Sequence, residues 1–395
     1  MRAVGLLAGF TLIFSSTVVG QVWNCGLQIQ NQILPFKLER QATSDWILWN
    51  GNEKIQLDQV VSEGDSLKFP ILVFDAWVKI PKQPGALFTG SYSKGDARNP
   101  GYQMSFLAKI SKDKSPFKLP VLRKQKEEEF LIYFLDQKGL KADSGILRLN
   151  HFLNSDRLAA TILTETGDFR YLNGTLTDTD LRLSTFDGGH TYLFRAAKVN
   201  DKFVGRFFYS RTGSDSILIE PAKGRKLQSG FKQANGIFSF SALERSGTRH
   251  TEKDADFIGK PLVVQLMGTW CPNCMDESRF LAEVFPLIQT KVALVGLAFE
   301  RKFDQAYGFD RIELVRRKLQ LPYPVYLAGP ASKDSASLLL PSIAPVQAFP
   351  TTVFVRADGS ILKVHSGFSG PATGNDYQVW REEFFHLVNE LAEKK

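Results

Sequence analysis

The sequence predicts two unlike parts, an all-β antiparallel barrel or sandwich over residues 21–221 and an α/β domain over 237–395. Three observations lead there. Two of only three cysteines fall together as Cys271-Pro272-Asn273-Cys274, after a strand-length apolar run from Pro261 to Met267. Behind them Phe280, Leu281, Val284, Phe285 and Ile288 recur at helical spacing, so the pair sits where a strand turns into a helix. From about Gln28 to Pro221, by contrast, short alternating segments are punctuated by turn signals roughly every eight to twelve residues. Between the two, around Gly224 to Gly236, glycine, lysine and glutamine replace the hydrophobic pattern, which marks 222–236 as a linker between independent cores.

A chain of 395 residues suits two domains, each able to bury its own core. Its 49 basic and 41 acidic residues leave a modest +8. The run Arg123-Lys124-Gln125-Lys126 is followed at once by Glu127-Glu128-Glu129, a solvated face and not a stripe for nucleic acid. At the start, the positive tip Met1-Arg2, the apolar Val4 to Phe14 and Val18-Val19-Gly20 read as a signal peptide over 1–20, with export to the periplasm or cell envelope. Thr11, Ser15, Ser16 and Thr17 interrupt the run and make a permanent span the weaker reading, so membrane contact is expected only through an anchor. Cys25 follows Trp23-Asn24, a poor context for lipid attachment, and reads as a packed small hydrophobe; lipid attachment and a free thiol are the alternatives.

In the β part, Trp46 to Trp49 runs into Asn50-Gly51-Asn52, Lys54 to Val60 precedes Glu63-Gly64-Asp65, and Leu67 to Phe74 follows. Leu158 to Thr164, Phe169 to Leu176, Leu181 to Thr185, Tyr192 to Ala197 and Phe203 to Tyr209 read as consecutive hairpins. Phe203, Gly205, Phe207 and Tyr209 share one face, which at period two means core before it means a ligand cavity.

In the α/β part, strands are expected at Ile237 to Leu243, Lys260 to Met267 and Val292 to Phe299, with a helix between Gln305 and Gln320. Tyr323 to Leu327 is extended, Ser335 to Leu340 a short helix, and Thr351 to Val355 with Ile361 to His365 a hairpin about Asp358-Gly359. Phe384, Phe385, Leu387, Val388 and Leu391 mark the last helix, giving the order of a thioredoxin-like fold with helices on both sheet faces. At the first turn of a helix, free amides and the dipole favour a thiolate, so Cys271 is the candidate nucleophile. Cys274, one turn on, is placed to resolve a mixed disulfide. A structural zinc needs four ligands, and there is no second cysteine pair and no histidine at short spacing, so no metal and no cofactor is expected. A purely structural disulfide would close too small a loop to constrain the unfolded chain much.

Gly268-Thr269-Trp270-Cys271-Pro272-Asn273-Cys274 resembles the thioredoxin-like disulfide reductases named after TlpA and ResA. The resemblance extends to Glu277, where that family carries an active-site glutamate, and to Gln265, at the position of a buried aspartate in thioredoxin. It also takes in Phe349-Pro350-Thr351, which is similar to the cis-proline loop facing the disulfide. Arg279 departs from it, standing where many relatives have a proline that bends the first helix. The resemblance implies a protein disulfide reductase with Trp270, Pro272, Phe349, Pro350 and Thr351 supporting the cysteines. It also implies partners among disulfide-containing envelope proteins such as apocytochromes c, and a membrane thiol electron donor. Gln265 cannot ionise, so Glu277 is the available proton carrier, in partial burial beside Trp270. Gly167 to Leu172 and Phe186-Asp187-Gly188 resemble the β-rich extension preceding such modules in envelope proteins of the Bacteroidetes type. A binding protein whose β domain holds a ligand, with the redox module only tethered to it, is the competing reading.

Overall fold

The computed structural model describes residues 20–41, 43, 45–57, 60–95, 102–112, 126–152, 155–224, 231–232, 236–302 and 304–393. The expected signal segment, Gly20 apart, lies outside these residues, as do Arg123 to Gln125 and most of the expected linker.

Alternating apolar positions build two antiparallel nine-stranded sheets in the β part. The first runs from Glu53–Leu57 at one edge, through Gln21–Ile29 and the middle strand Gln103–Ile110, to Val61–Glu63 at the other. Its buried face carries Trp23 stacked on Trp46 with ring centroids 5.5 Å apart, and Phe36 edge-on to Phe106 at 5.2 Å. Cys25 is buried on this face, in the first strand, and burial pushes its thiol far above the usual range. In the second sheet Lys141–His151 pairs both with Lys126–Leu135 and with Arg157–Thr164, so the sheet closes on itself as a barrel. Inside, Phe194 lies flat on Phe207 at 4.3 Å, among Phe134, Leu147, Leu183 and Ile217. The aromatic face of Lys202–Tyr209 is therefore core.

The third sheet has eight strands around the parallel pair Leu262–Met267 and Ala293–Glu300, with Val325–Pro330 parallel on one side and Thr351–Val355 antiparallel on the other. Alternate residues of Leu262–Met267 serve opposite faces, as the pleat requires. Val263 and Met267 pack with helices α1 (Pro272–Ile288), α2 (Gln305–Leu319) and α4 (Asn375–Glu393). Val264 and Leu266 pack with α3 (Lys333–Leu339) and the opening segment containing Phe238, Phe240 and Phe257. Helix α1 runs unbroken past Arg279, with its internal proline, Pro286, in the last turn. Among the described residues no helix is long and apolar enough to cross a membrane.

Two findings differ from the sequence expectation. Phe231–Lys232, within the expected linker, pairs with Ile361–Ser366 and forms an edge of the third sheet; a two-residue strand leaves no periodic signal. The cores are also not separate, because one apolar cluster runs from Trp23 and Phe36 through Phe74, Phe186 and Phe208 to Cys271, Phe280 and Leu391. Polar contacts reinforce this. Arg148 of the barrel donates to the Thr373 carbonyl at 2.9 Å and pairs with Asp376 of α4, while Tyr307 of α2 donates to Asp75 at 3.0 Å and Arg311 to the Val73 carbonyl. Truncating the barrel core by Phe207→Ala should cost roughly 3–5 kcal/mol in urea unfolding. A loss below about 1 kcal/mol would contradict a filled barrel interior.

Candidate active site

The strand Leu262–Met267 delivers the chain into Gly268, where an added Cβ would lie 2.2 Å from the Trp270 ring nitrogen, so only glycine fits. The turn is then tied to the neighbouring strand. Thr269 donates its amide (2.9 Å) and hydroxyl (2.8 Å) to Glu300, and the Trp270 ring N–H donates to the Phe299 carbonyl at 2.9 Å. Cys271 caps α1: its backbone is extended and its Sγ accepts from the Cys274 amide at 3.3 Å, with Pro272 at the first position, where no amide donor is needed. Sγ also lies 3.5 Å from the Phe349 carbonyl, just before the cis peptide to Pro350, and Trp270 packs edge-on to Phe349. Thr351 is buried and donates its hydroxyl to the Ala348 carbonyl at 2.8 Å. Both cysteines are free thiols, so this is the dithiol form. They differ in setting. Cys274 is fully buried, and burial, then the Cys271 sulfur, push its thiol well above the usual range, whereas Cys271 keeps two polar neighbours and 6% exposure.

Glu277 is fully buried, not partly exposed beside Trp270 as the sequence suggested, because its turn of α1 faces the sheet. Its carboxylate accepts from Gln265 at 2.8 Å and from the Thr352 hydroxyl at 2.6 Å. Gln265 also donates to the Cys274 carbonyl at 3.4 Å and accepts from Ser278 and Tyr323, so it connects Glu277 to the turn that carries Cys274. Neither sulfur is bonded to the carboxylate directly. Burial raises Glu277 from its ordinary 4.5 to about 7, against the two hydrogen bonds. Glu300, which sequence reasoning missed, is raised by burial to about 7 as well. Its signal was a carboxylate closing an otherwise apolar strand.

Sequence reasoning also missed the cluster that holds the β part over the cysteines. Arg170, buried, grips Asp276 of α1 with Nε (2.6 Å) and Nη2 (3.2 Å), Glu53 of the first sheet (2.7 Å), and Asp187 of the barrel. Asp276 takes Arg279 at 2.7 Å as well, and Asp187 takes the His190 ring at 3.1 Å. Burial opposes charge throughout, yet the carboxylates hold Arg170 firmly protonated, and His190 and Arg170 hold Asp187 below the usual carboxylate range. Beside them Asp168 accepts the Gly370 amide at 2.6 Å on its carboxylate, which burial raises to about 6, and the Asn273 side chain at 2.9 Å on its carbonyl. Asn273 stands between the cysteines. Gly189 lies so close to Pro272 that a Cβ would come within 2.7 Å of its ring. Two barrel loops thus sit on the Cys271-Pro272-Asn273 turn.

No family model matches the chain. A thiol:disulfide interchange protein DsbE of Pasteurella multocida strain Pm70 is 26% identical over 137 residues, 35% of this chain and 64% of that protein. A protein of the same description from Tatumella citrea is 25% identical over 190 residues, 47% and 85% of the two. The chain therefore spans just under two thirds of the first relative's length. The crystal structure of a thiol:disulfide interchange protein of the thioredoxin family from Chlorobium tepidum TLS covers 41% of this chain and 98% of its own, at 20% identity and a TM-score of 0.30. The curated relatives that the chain matches at this level are described as thiol:disulfide interchange proteins.

Because the folded Glu277 carboxyl holds its proton more tightly than the unfolded one, it favours the fold fully below pH 4.5, and that favour is lost as pH rises to about 7. Glu277→Gln removes the titration. Its unfolding free energy should gain on the parent by on the order of 3 kcal/mol across that window; a flat difference would place the titration elsewhere. Arg170→Gln strands three buried carboxylates and should cost roughly 3–5 kcal/mol. It should also raise the alkylation rate of Cys271 in native buffer, and an unchanged rate would mean the loops do not shield the sulfur.

Proposed function

We propose that the chain is an exported dithiol–disulfide reductase, TlpA/ResA-like within the thioredoxin-fold class, that cycles Cys271 and Cys274. The carrying observation is the contrast between the two sulfurs: one caps a helix and accepts an amide, and the other is sealed in as a thiol. Cys271 thiolate attacks a substrate disulfide, forming a mixed disulfide and expelling one substrate thiolate. Cys274 then gives up its proton and attacks Cys271 Sγ, expelling the second substrate sulfur as a thiolate and leaving the enzyme disulfide. Glu277, buried next to the resolving turn and titrating near neutrality, takes that proton. A membrane thiol donor returns the electron pair.

Reduction is favoured over oxidation by what surrounds the sulfurs. Pro272-Asn273 supplies no cation between the cysteines, and a buried Glu277 opposes negative charge on Cys274. A destabilised dithiolate makes the reduced form the better electron donor. Trp270, Pro272, Phe349, Pro350 and Thr351 shape the approach to Cys271. The substrates in this reading are disulfide-bearing envelope proteins, apocytochromes c among them, as the resemblance to the TlpA and ResA family implies; relatives described as thiol:disulfide interchange proteins support the exchange chemistry alone. We read residues 1–20 as the signal peptide, 21–221 as the β-rich extension of Bacteroidetes-type envelope proteins, 222–236 as a connection and 237–395 as the redox module.

Cys274→Ser should accumulate mixed disulfides with envelope proteins while Cys271→Ser accumulates none, resolved on non-reducing gels. The opposite pattern would exchange the roles of the two sulfurs. Glu277→Gln should slow insulin reduction at pH 7 by on the order of 100-fold, and equal rates would leave Glu277 a structural residue.

A further inference from the structure

Gln265 stands in the middle of a buried polar array: Gln265, Glu277, Ser278 and Thr352 are fully buried, and Tyr323 nearly so. An amide side chain has two unlike ends, a carbonyl oxygen that only accepts and an NH2 that donates. At Gln265 the neighbours decide which end goes where. Nε2 lies 2.8 Å from the Glu277 carboxylate and 3.4 Å from the Cys274 carbonyl, and a carbonyl can only accept. Oε1 therefore faces the hydroxyls of Ser278 at 3.1 Å and Tyr323 at 3.3 Å, and both donate to it. A reversed amide would set its oxygen against a carboxylate and a carbonyl with no proton between them. Ser278 is the neighbour of Glu277 on α1, whereas Tyr323 comes from the segment just before Val325–Pro330, 58 positions from Gln265. Its hydroxyl bonds the amide and so stands one step removed from the carboxylate.

We propose that Tyr323 is a positioning residue for Glu277, holding the Gln265 amide with its donor end toward the carboxylate and so setting how tightly that carboxyl keeps its proton. Its bearing on the reaction rests on the reading of Glu277 as acceptor of the Cys274 proton. An N–H donor aimed at a carboxylate favours the ionised form, so Gln265 works against the burial that raises Glu277 to about 7. Among the described residues, the titratable groups beside Glu277 are Cys274 on its own helix, Tyr323, and His365, the strand partner of Thr352. Burial holds all three neutral at pH 7. With no charge on these neighbours, the direction of the amide bears directly on Glu277.

The test follows Glu277 itself, by carbon-13 NMR titration of the side-chain carboxyls in the glutamate-labelled full chain, with Glu277→Gln identifying the signal. Tyr323→Phe keeps the ring, packed beside Phe285, and removes only the donor. It should raise the Glu277 midpoint by roughly 0.5–1 pH unit, the equivalent of one neutral hydrogen bond. Ser278→Ala, which removes the other donor to the same oxygen, should raise it as well. Gln265→Met should raise it at least as far as Tyr323→Phe does. Adding Tyr323→Phe to Gln265→Met should then move it no further, since the tyrosine acts through the amide. The rising limb of insulin reduction against pH should follow the NMR midpoint in each variant. A midpoint unmoved by Tyr323→Phe would overturn the proposal, as would one that Tyr323→Phe moves equally with and without Gln265. A midpoint that moves while the limb of insulin reduction stays in place would support the positioning and overturn the reading of Glu277 as the proton acceptor.

Discussion

One guanidinium joins the three sheets. Arg170 stands between Glu53, Asp187 and Asp276, one carboxylate from the first sheet, one from the barrel and one from the redox helix. An unpaired charge in that position would be costly, so the arginine and the carboxylates hold one another, with Arg279 and His190 as further partners of Asp276 and Asp187. Arg170 itself has φ of +55°, in the left-handed region where a non-glycine residue is held only by its surroundings. Because Asp276 lies five positions after Cys271 on the same helix, whatever fixes Arg170 also fixes the barrel loops above the sulfur. Domain arrangement and access to the redox centre are one constraint.

Beneath that cover the site is buried, and burial sets its chemistry. Cys274, Glu277 and Glu300 are all shifted toward their neutral forms by burial. Such an interior favours the protonated form of the Cys274 thiol. Under the proposed mechanism it also leaves Glu277, near neutrality, as the proton acceptor for the second step, where a fully ionised surface glutamate would be too weak a base.

The strand, helix and proline loop around the paired cysteines were legible because their signals are local. The apolar run before the cysteines, the helical recurrence after them and the Pro350 loop each occupy a few neighbouring residues. Glu277 could have been placed inside from the same pattern, since it precedes Leu281, Val284 and Ile288 by four, seven and eleven positions on one helical face. The barrel's hairpins were readable by alternation, but its closure was not, because the pairing of Lys141–His151 with strands on both sides leaves no mark in either. Least legible was the clamp. Phe169 to Leu176 reads as one strand, yet pairing resumes only at Leu172, and Arg170 turns inward to partners 106 and 117 residues away. No period links such positions.

The claim on which the rest depends is that the dithiol enzyme keeps Cys271 covered by the barrel loops. It is tested most directly by alkylating the reduced parent protein with iodoacetamide and with a polymer-bearing iodoacetamide, each rate referred to glutathione. The account expects the bulky reagent to be suppressed far more than the small one, and the two to converge once the chain is unfolded in urea. Equal suppression of both reagents in the native protein, at the values of an open thiol, would contradict it.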